Sequence, residues 1–184
     1  MVMRVYLDNN ATTMIDPEAR ELMLPFLNEK FGNPNSLHDF GSETHPALRK
    51  AMDQLYTALN AKDSDDIIVT SCATESNNWV LKGIYFDKII TGEKDNIITT
   101  SVEHPAIGET CSFLETLGVK IIRLGVNTDG NINLDELKEK INDKTALVSI
   151  MWANNETGTI FPIREAAEIA HAHGALFHTD ATQA

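Results

Sequence analysis

The sequence predicts an α/β protein built on a mainly parallel sheet flanked by helices. Two observations predict it. Short strand-type stretches alternate with longer helical-type stretches along the chain. The strand-type stretches are also apolar at nearly every position, as strands are when helices cover both faces of a sheet. No internal repeat or low-complexity stretch interrupts the alternation.

Each element has its own signal. Val5-Tyr6-Leu7 is expected as a short strand or extended arm, followed by the polar run Asp8 to Thr13. Asp16-Pro17-Glu18 opens a helix, with Asp16 suited to the N-cap and Pro17 to the first helical position. That helix should reach about Lys30, where Phe31-Gly32-Asn33-Pro34-Asn35-Ser36 stops it. A second helix is expected from Ser42 to Asn60, because Ala47, Leu48, Ala51, Leu55, Ala58 and Leu59 recur near helical spacing. A strand at Ile67 to Thr70, a helix at Thr74 to Tyr85 and a strand at Asn96 to Thr100 follow. Pro105 to Leu117 reads as a helix ended by Gly118, and Val119 to Leu124 as a strand. Asn133 caps the next helix, with Glu136 three residues on in the pattern of a capping box. Ala146 to Trp152 is expected as a strand, Ile163 to His173 as a helix and Ala175 to Thr179 as a strand. The sequence closes at Ala184 just after that strand, with no covering helix. The expectation is therefore truncation, or a partner chain that completes the sheet.

Composition bounds the function classes. The 184 residues fit one domain or a large piece of a bigger one. A formal net charge of −12 repels phosphate backbones, which argues against nucleic acid as a direct ligand. The two cysteines, Cys72 and Cys111, form no spaced framework, as suits a reducing cytoplasm. No signal-peptide pattern precedes Val5, and the apolar runs are too short for a bilayer, so a cytoplasmic protein without membrane contact is expected.

Four segments carry candidate chemistry. Thr70 to Asn78 joins an apolar strand to a helix and is rich in small and hydroxyl residues. A helix start there offers free N–H groups and a positive dipole end to a phosphate, and Thr74 adds a hydroxyl; an ordinary Ser or Thr cap is the other reading. The segment lacks the GxxxxGK[ST] pattern of a nucleotide triphosphatase. In Ser101-Val102-Glu103-His104-Pro105, His104 sits where a strand gives way to a helix, suited to stack on an aromatic cofactor and to move protons, or simply to cap the helix. Trp152 to Gly158 places Asn154 and Asn155 past another strand, as directional donors and acceptors or as an asparagine turn. In His178 to Gln183, Asp180 is placed to hold a protonated pyridine nitrogen and Gln183 to reach a ring hydroxyl, although a lone Asp also suits a cap. All four lie at C-terminal strand ends, where open α/β sheets bind ligands, and one ligand site accounts for them better than four separate caps.

In this order the segments resemble the NifS/IscS-type cysteine desulfurases, a family of fold-type-I pyridoxal 5′-phosphate (PLP) enzymes. The stretches that carry the resemblance are Tyr6 to Thr13, Phe31-Gly32-Asn33-Pro34, Ala73-Thr74-Glu75-Ser76, Glu103-His104, Asn154 to Gly158 and His178 to Gln183. The resemblance implies an N-terminal arm or small-domain segment over residues 1–15. It implies an incomplete PLP-binding large domain over residues 16–184. It also implies that Ala73 and Thr74 hold the phosphate and that His104 lies over the ring as the catalytic histidine. Asn155 would contact the ring hydroxyl region, Asp180 the pyridine nitrogen and Gln183 the phenolic oxygen. No metal is implied.

The implied reaction takes sulfur from L-cysteine, leaves alanine and passes the sulfur as a persulfide to iron–sulfur scaffolds or other acceptors. A homodimer is implied as well. The family's Schiff-base lysine, persulfide cysteine and carboxylate-binding arginine fall beyond Ala184, so this stretch alone is expected to be inactive. Cys72 is expected to fill a turn, and Cys111 to be packed rather than reactive. Alternatives are a selenocysteine lyase or aminotransferase of the same fold, or a non-catalytic half-protein that dimerises or docks scaffolds.

Overall fold

The computed structural model describes residues 3–184. The chain forms two compact units, one running up to Val69 and the other Thr70–Ala184. No helix among the described residues is long and apolar enough to cross a membrane.

The first unit is helical. Helix α1, Pro17–Asn28, begins as expected: the Asp16 carboxylate accepts from the amides of Glu18 and Ala19. The helix expected from Ser42 to Asn60 is instead two, α2 (Asp39–Ser42) and α3 (His45–Ala58). The break falls at Thr44, whose hydroxyl turns back to the Gly41 carbonyl at 2.8 Å, directly before His45-Pro46. Loop 31–36 packs tightly against α2. A Cβ on Gly32 would overlap the Phe40 carbonyl, and one on Gly41 would lie 2.5 and 2.6 Å from the Ser36 and Asn33 carbonyl oxygens.

Neither Val5 to Leu7 nor Ile67 to Thr70 forms a strand. A strand needs a hydrogen-bonded neighbour, and among the described residues neither segment has one. Ile68 and Val69 are accordingly exposed.

The second unit is the expected α/β architecture. Its helices are α4 (Ala73–Ile84), α5 (Pro105–Thr116), α6 (Leu134–Lys140) and α7 (Ile163–Ala172). Its strands are β1 (Asn96–Thr100), β2 (Lys120–Leu124), β3 (Thr145–Ser149) and β4 (Leu176–His178), in the order β2-β1-β3-β4 and all parallel. A π-helical turn, Tyr85–Ile89, extends α4.

Two apolar clusters explain why the strand residues are apolar on both faces. Leu81, Ile97, Ile107, Cys111, Leu114 and Leu147 form one, under α4 and α5. Ile98, Leu124, Leu137, Val148, Ala166 and Ala170 form the other, under α6 and α7. Ile97 and Ile98, adjacent on β1, thus serve opposite layers.

Boundaries shift where polar bonding decides them. β3 ends at Ser149 rather than Trp152, although the Ile150 and Trp152 amides still bond the carbonyls of His178 and Asp180. Asn133 caps α6 through the Asp135 amide, but Glu136 pairs with Lys140 at 3.9 Å in place of the reciprocal capping-box bond.

Candidate functional site

Strand β1 leads outward to β2, while β3 leads to β4 on the other side. The order in which strands are added therefore reverses between β1 and β3, although all run parallel, and the loops beyond their C-terminal ends border the crevice where such sheets bind ligands. Every candidate residue lies beyond a strand end or at a helix start of this unit.

Helix α4 starts without a side-chain cap. Cys72 at the N-cap is extended, with φ −168° and ψ 168°, and its side chain bonds no helix amide. The Glu75 and Ser76 amides return to the Cys72 carbonyl, which leaves the Ala73 and Thr74 amides at the open, positive end of a 12-residue helix. Cys72 is exposed, in the bend that leads into the helix. The Glu75 amide and the Ser71 hydroxyl hold its thiol below the usual range. Cys111 matches its expectation: it is buried, and burial pushes its thiol up to about 11.

His104 caps α5. Its Nδ1 accepts the Ala106 amide at 3.1 Å, so the neutral ring carries its proton on Nε2. His104 and Thr74 line one cavity of about 420 Å³ between α4 and α5, together with Asn78, Lys82, Glu109 and Phe113.

Asp180 follows β4 and is only 8% exposed. Its Oδ1 accepts the Thr182 amide at 3.0 Å and the Thr182 hydroxyl at 2.7 Å; its Oδ2 accepts the Asn77 side-chain amide at 2.7 Å. Burial raises the Asp180 carboxyl, but these donors and the nearby His178 outweigh it and hold the group below its ordinary value. A buried carboxylate kept ionised this way is suited to pair with a protonated ring nitrogen. The residues present thus fit a phosphate-bearing pyridine, with open helix amides for its phosphate and an ionised aspartate for its nitrogen.

Three further residues organise the site, and sequence reasoning gave no role to the first two of them. Asn77 is one. Glu103 is another: its Oε1 accepts the Thr100 hydroxyl at 2.8 Å and the Met151 amide at 3.0 Å, while Oε2 is buried with no partner among the described residues. Burial, aided by the charge of Asp180, raises this carboxyl to about 7. The third is Asn154, which does the turn-making work of the asparagine pair. It donates to the Val102 carbonyl at 3.0 Å, and its Oδ1 accepts the amides of Glu156 and Thr157. Asn155 beside it is half-buried and donates to Glu156 Oε1 at 2.9 Å. Gln183 lies half-buried in the turn after Asp180. Thr74 and His104 share a cavity, and Asp180 is tied to α4; Asn155 and Gln183 stand past β3 and β4 and do not line that cavity. The available signal for Asn77 was its place inside a helix, where asparagine is a poor former.

A family profile described as aminotransferase class-V matches residues 5–184. The chain is 46% identical over 180 residues to a cysteine desulfurase of Nostoc sp., covering 98% of this chain and 44% of that protein. It is 49% identical over 183 residues to the cysteine desulfurase IscS of Dictyoglomus turgidum, covering 46% of it. A solved structure described as a NIFS-like protein superimposes with a TM-score of 0.93 at 42% identity, over 99% of this chain and 50% of that one. Another, SspA in complex with cysteine, superimposes with a TM-score of 0.91 at 35% identity, over 97% and 51%. The chain therefore spans about half the length, or somewhat less, of the relatives it matches.

Proposed function

The chain belongs to the class-V aminotransferase family, and we propose that it is the N-terminal part of a PLP-dependent cysteine desulfurase. The observation that carries this reading is the buried, ionised Asp180 held by α4, the helix whose open first turn lies on the same cavity as His104. The similarity to desulfurases along nearly the whole chain supports it.

In this reading the Ala73 amide and the Thr74 amide and hydroxyl bind the phosphate, the charge-matched position at a helix start. Asp180 holds the ring nitrogen protonated. His104 covers the ring and moves a proton at Nε2, because Nδ1 is committed to the Ala106 amide. Asn155 and Gln183 orient the ring's hydroxyl edge. The cofactor, when bound, supplies an electron sink for carbanion chemistry on an amino acid such as L-cysteine.

The same reading gives the whole protein sulfur transfer to iron–sulfur scaffolds or other acceptors, a homodimeric state and a cytoplasmic setting. It makes residues 1–15 an arm of the small domain and residues 16–184 part of the PLP-binding domain. The test is equilibrium binding of PLP to the chain by absorbance. Thr74→Ala and Asp180→Ala each weaken it by roughly tenfold or more, the loss of one charge-assisted bond. Equal affinity in all three proteins sinks the assignment.

A further inference from the structure

Two asparagines stand side by side in α4 and do different work. Asn78 is half-buried and bonds locally, its amide donating to the Thr74 carbonyl one turn back at 3.0 Å. Asn77 is only 4% exposed. Burying an amide without a partner is costly, and asparagine gains nothing from a helix interior. Its partner is Asp180, 103 residues away in sequence, whose Oδ2 accepts the Asn77 Nδ2 at 2.7 Å.

We propose that Asn77 is a positioning residue: its side-chain amide holds one oxygen of Asp180 while Thr182 holds the other, coupling the carboxylate rigidly to the first turn of α4. Asn77 is four residues from Ala73 and three from Thr74, one helical turn. A hydrogen-bonded turn does not stretch, so the α4 amides and the carboxylate keep a fixed separation. The PLP reading gives this link its purpose: Asn77 ties the carboxylate that would hold the ring nitrogen to the helix whose first turn would hold the phosphate. The amide is neutral, so it donates to the carboxylate without competing for the positive charge that Asp180 is there to hold.

The test is an NMR pH titration of the Asp180 carboxyl carbon in the 184-residue chain. Asn77→Leu, similar in volume but unable to donate, raises the Asp180 midpoint by about one pH unit, and Asn77→Asp raises it further through like charge. Asn77→Ser, which keeps a shorter donor, raises it less. An unchanged midpoint in a folded variant overturns the proposal. The wild-type chain gives an independent reading if the variants do not fold. The Asn77 side-chain amide protons shift with the Asp180 midpoint, and their failure to do so also overturns the proposal. PLP binding followed in parallel separates the two ideas. A wild-type chain that does not bind PLP while Asp180 still answers to Asn77 defeats the cofactor reading and leaves the positioning role standing.

Discussion

The Glu103 carboxylate accepts the Met151 backbone amide at 3.0 Å, pinning the segment after β1 to the segment after β3 across the point where the strand order reverses. The same oxygen accepts the Thr100 hydroxyl at 2.8 Å, and the other is buried with no partner among the described residues. Burial therefore favours the protonated acid and lifts it from the usual carboxylate range to about 7. A group whose pKa is raised on folding contributes stability in full below its unfolded value and loses it as pH rises through the folded value. Glu103 thus stabilises the chain below about pH 4.5, and that contribution falls away through pH 7. The full span is on the order of 3 kcal/mol. Urea midpoints measured from pH 5 to 8 should decline more steeply for the wild-type chain than for Glu103→Gln. Parallel profiles would refute the assignment.

Cys72 and Cys111 should react at very different rates. The thiolate is the reactive form, and Cys72 is exposed with its thiol held below the usual range by the Glu75 amide and the Ser71 hydroxyl. Cys111 is fully buried and shifted up to about 11. Iodoacetamide at pH 7.5 should label Cys72 at least tenfold faster, a conservative reading of thiolate fraction and access. Peptide mapping by mass spectrometry reads this directly, and equal labelling contradicts it.

Gly32 is required by space rather than by φ. A Cβ there would meet the Phe40 carbonyl, which is backbone and cannot step aside. Gly32→Ala should destabilise the unit ending at Val69 by about 1–3 kcal/mol. Gly83, inside α4, is the control, because a Cβ added there would meet nothing within 4 Å. Its replacement by alanine should stabilise its helix by about 0.5–1 kcal/mol. Limited proteolysis of each unit distinguishes the two effects.

No lysine follows Asp180 in these 184 residues. On the desulfurase reading, borohydride reduction of the chain with PLP should give no stoichiometric adduct at one lysine, and the chain should form no alanine from L-cysteine. A single-site adduct in the intact mass and peptide map would overturn that expectation.

The alternation of apolar strand-type and helical-type stretches was enough to read the parallel α/β layering of residues 96–178. Burial on both faces leaves an unmistakable apolar mark on residues such as Ile97, Ile98, Leu147 and Val148. Local chemistry also placed the start of α1 at Asp16-Pro17 and three of the four polar segments at strand ends, the segment from Thr70 to Asn78 following no strand among the described residues. Partnership across the chain was left to tertiary structure. Ile67 to Thr70 has strand composition but no strand neighbour among the described residues, so composition alone could not make it a strand. Asn77 finds Asp180, Glu103 finds Met151 and Asn154 finds Val102 only after the sheet has assembled. A hydrogen bond spanning about 50 or 100 positions leaves no periodicity in the sequence, and it is the packing of the layers that brings its two ends together.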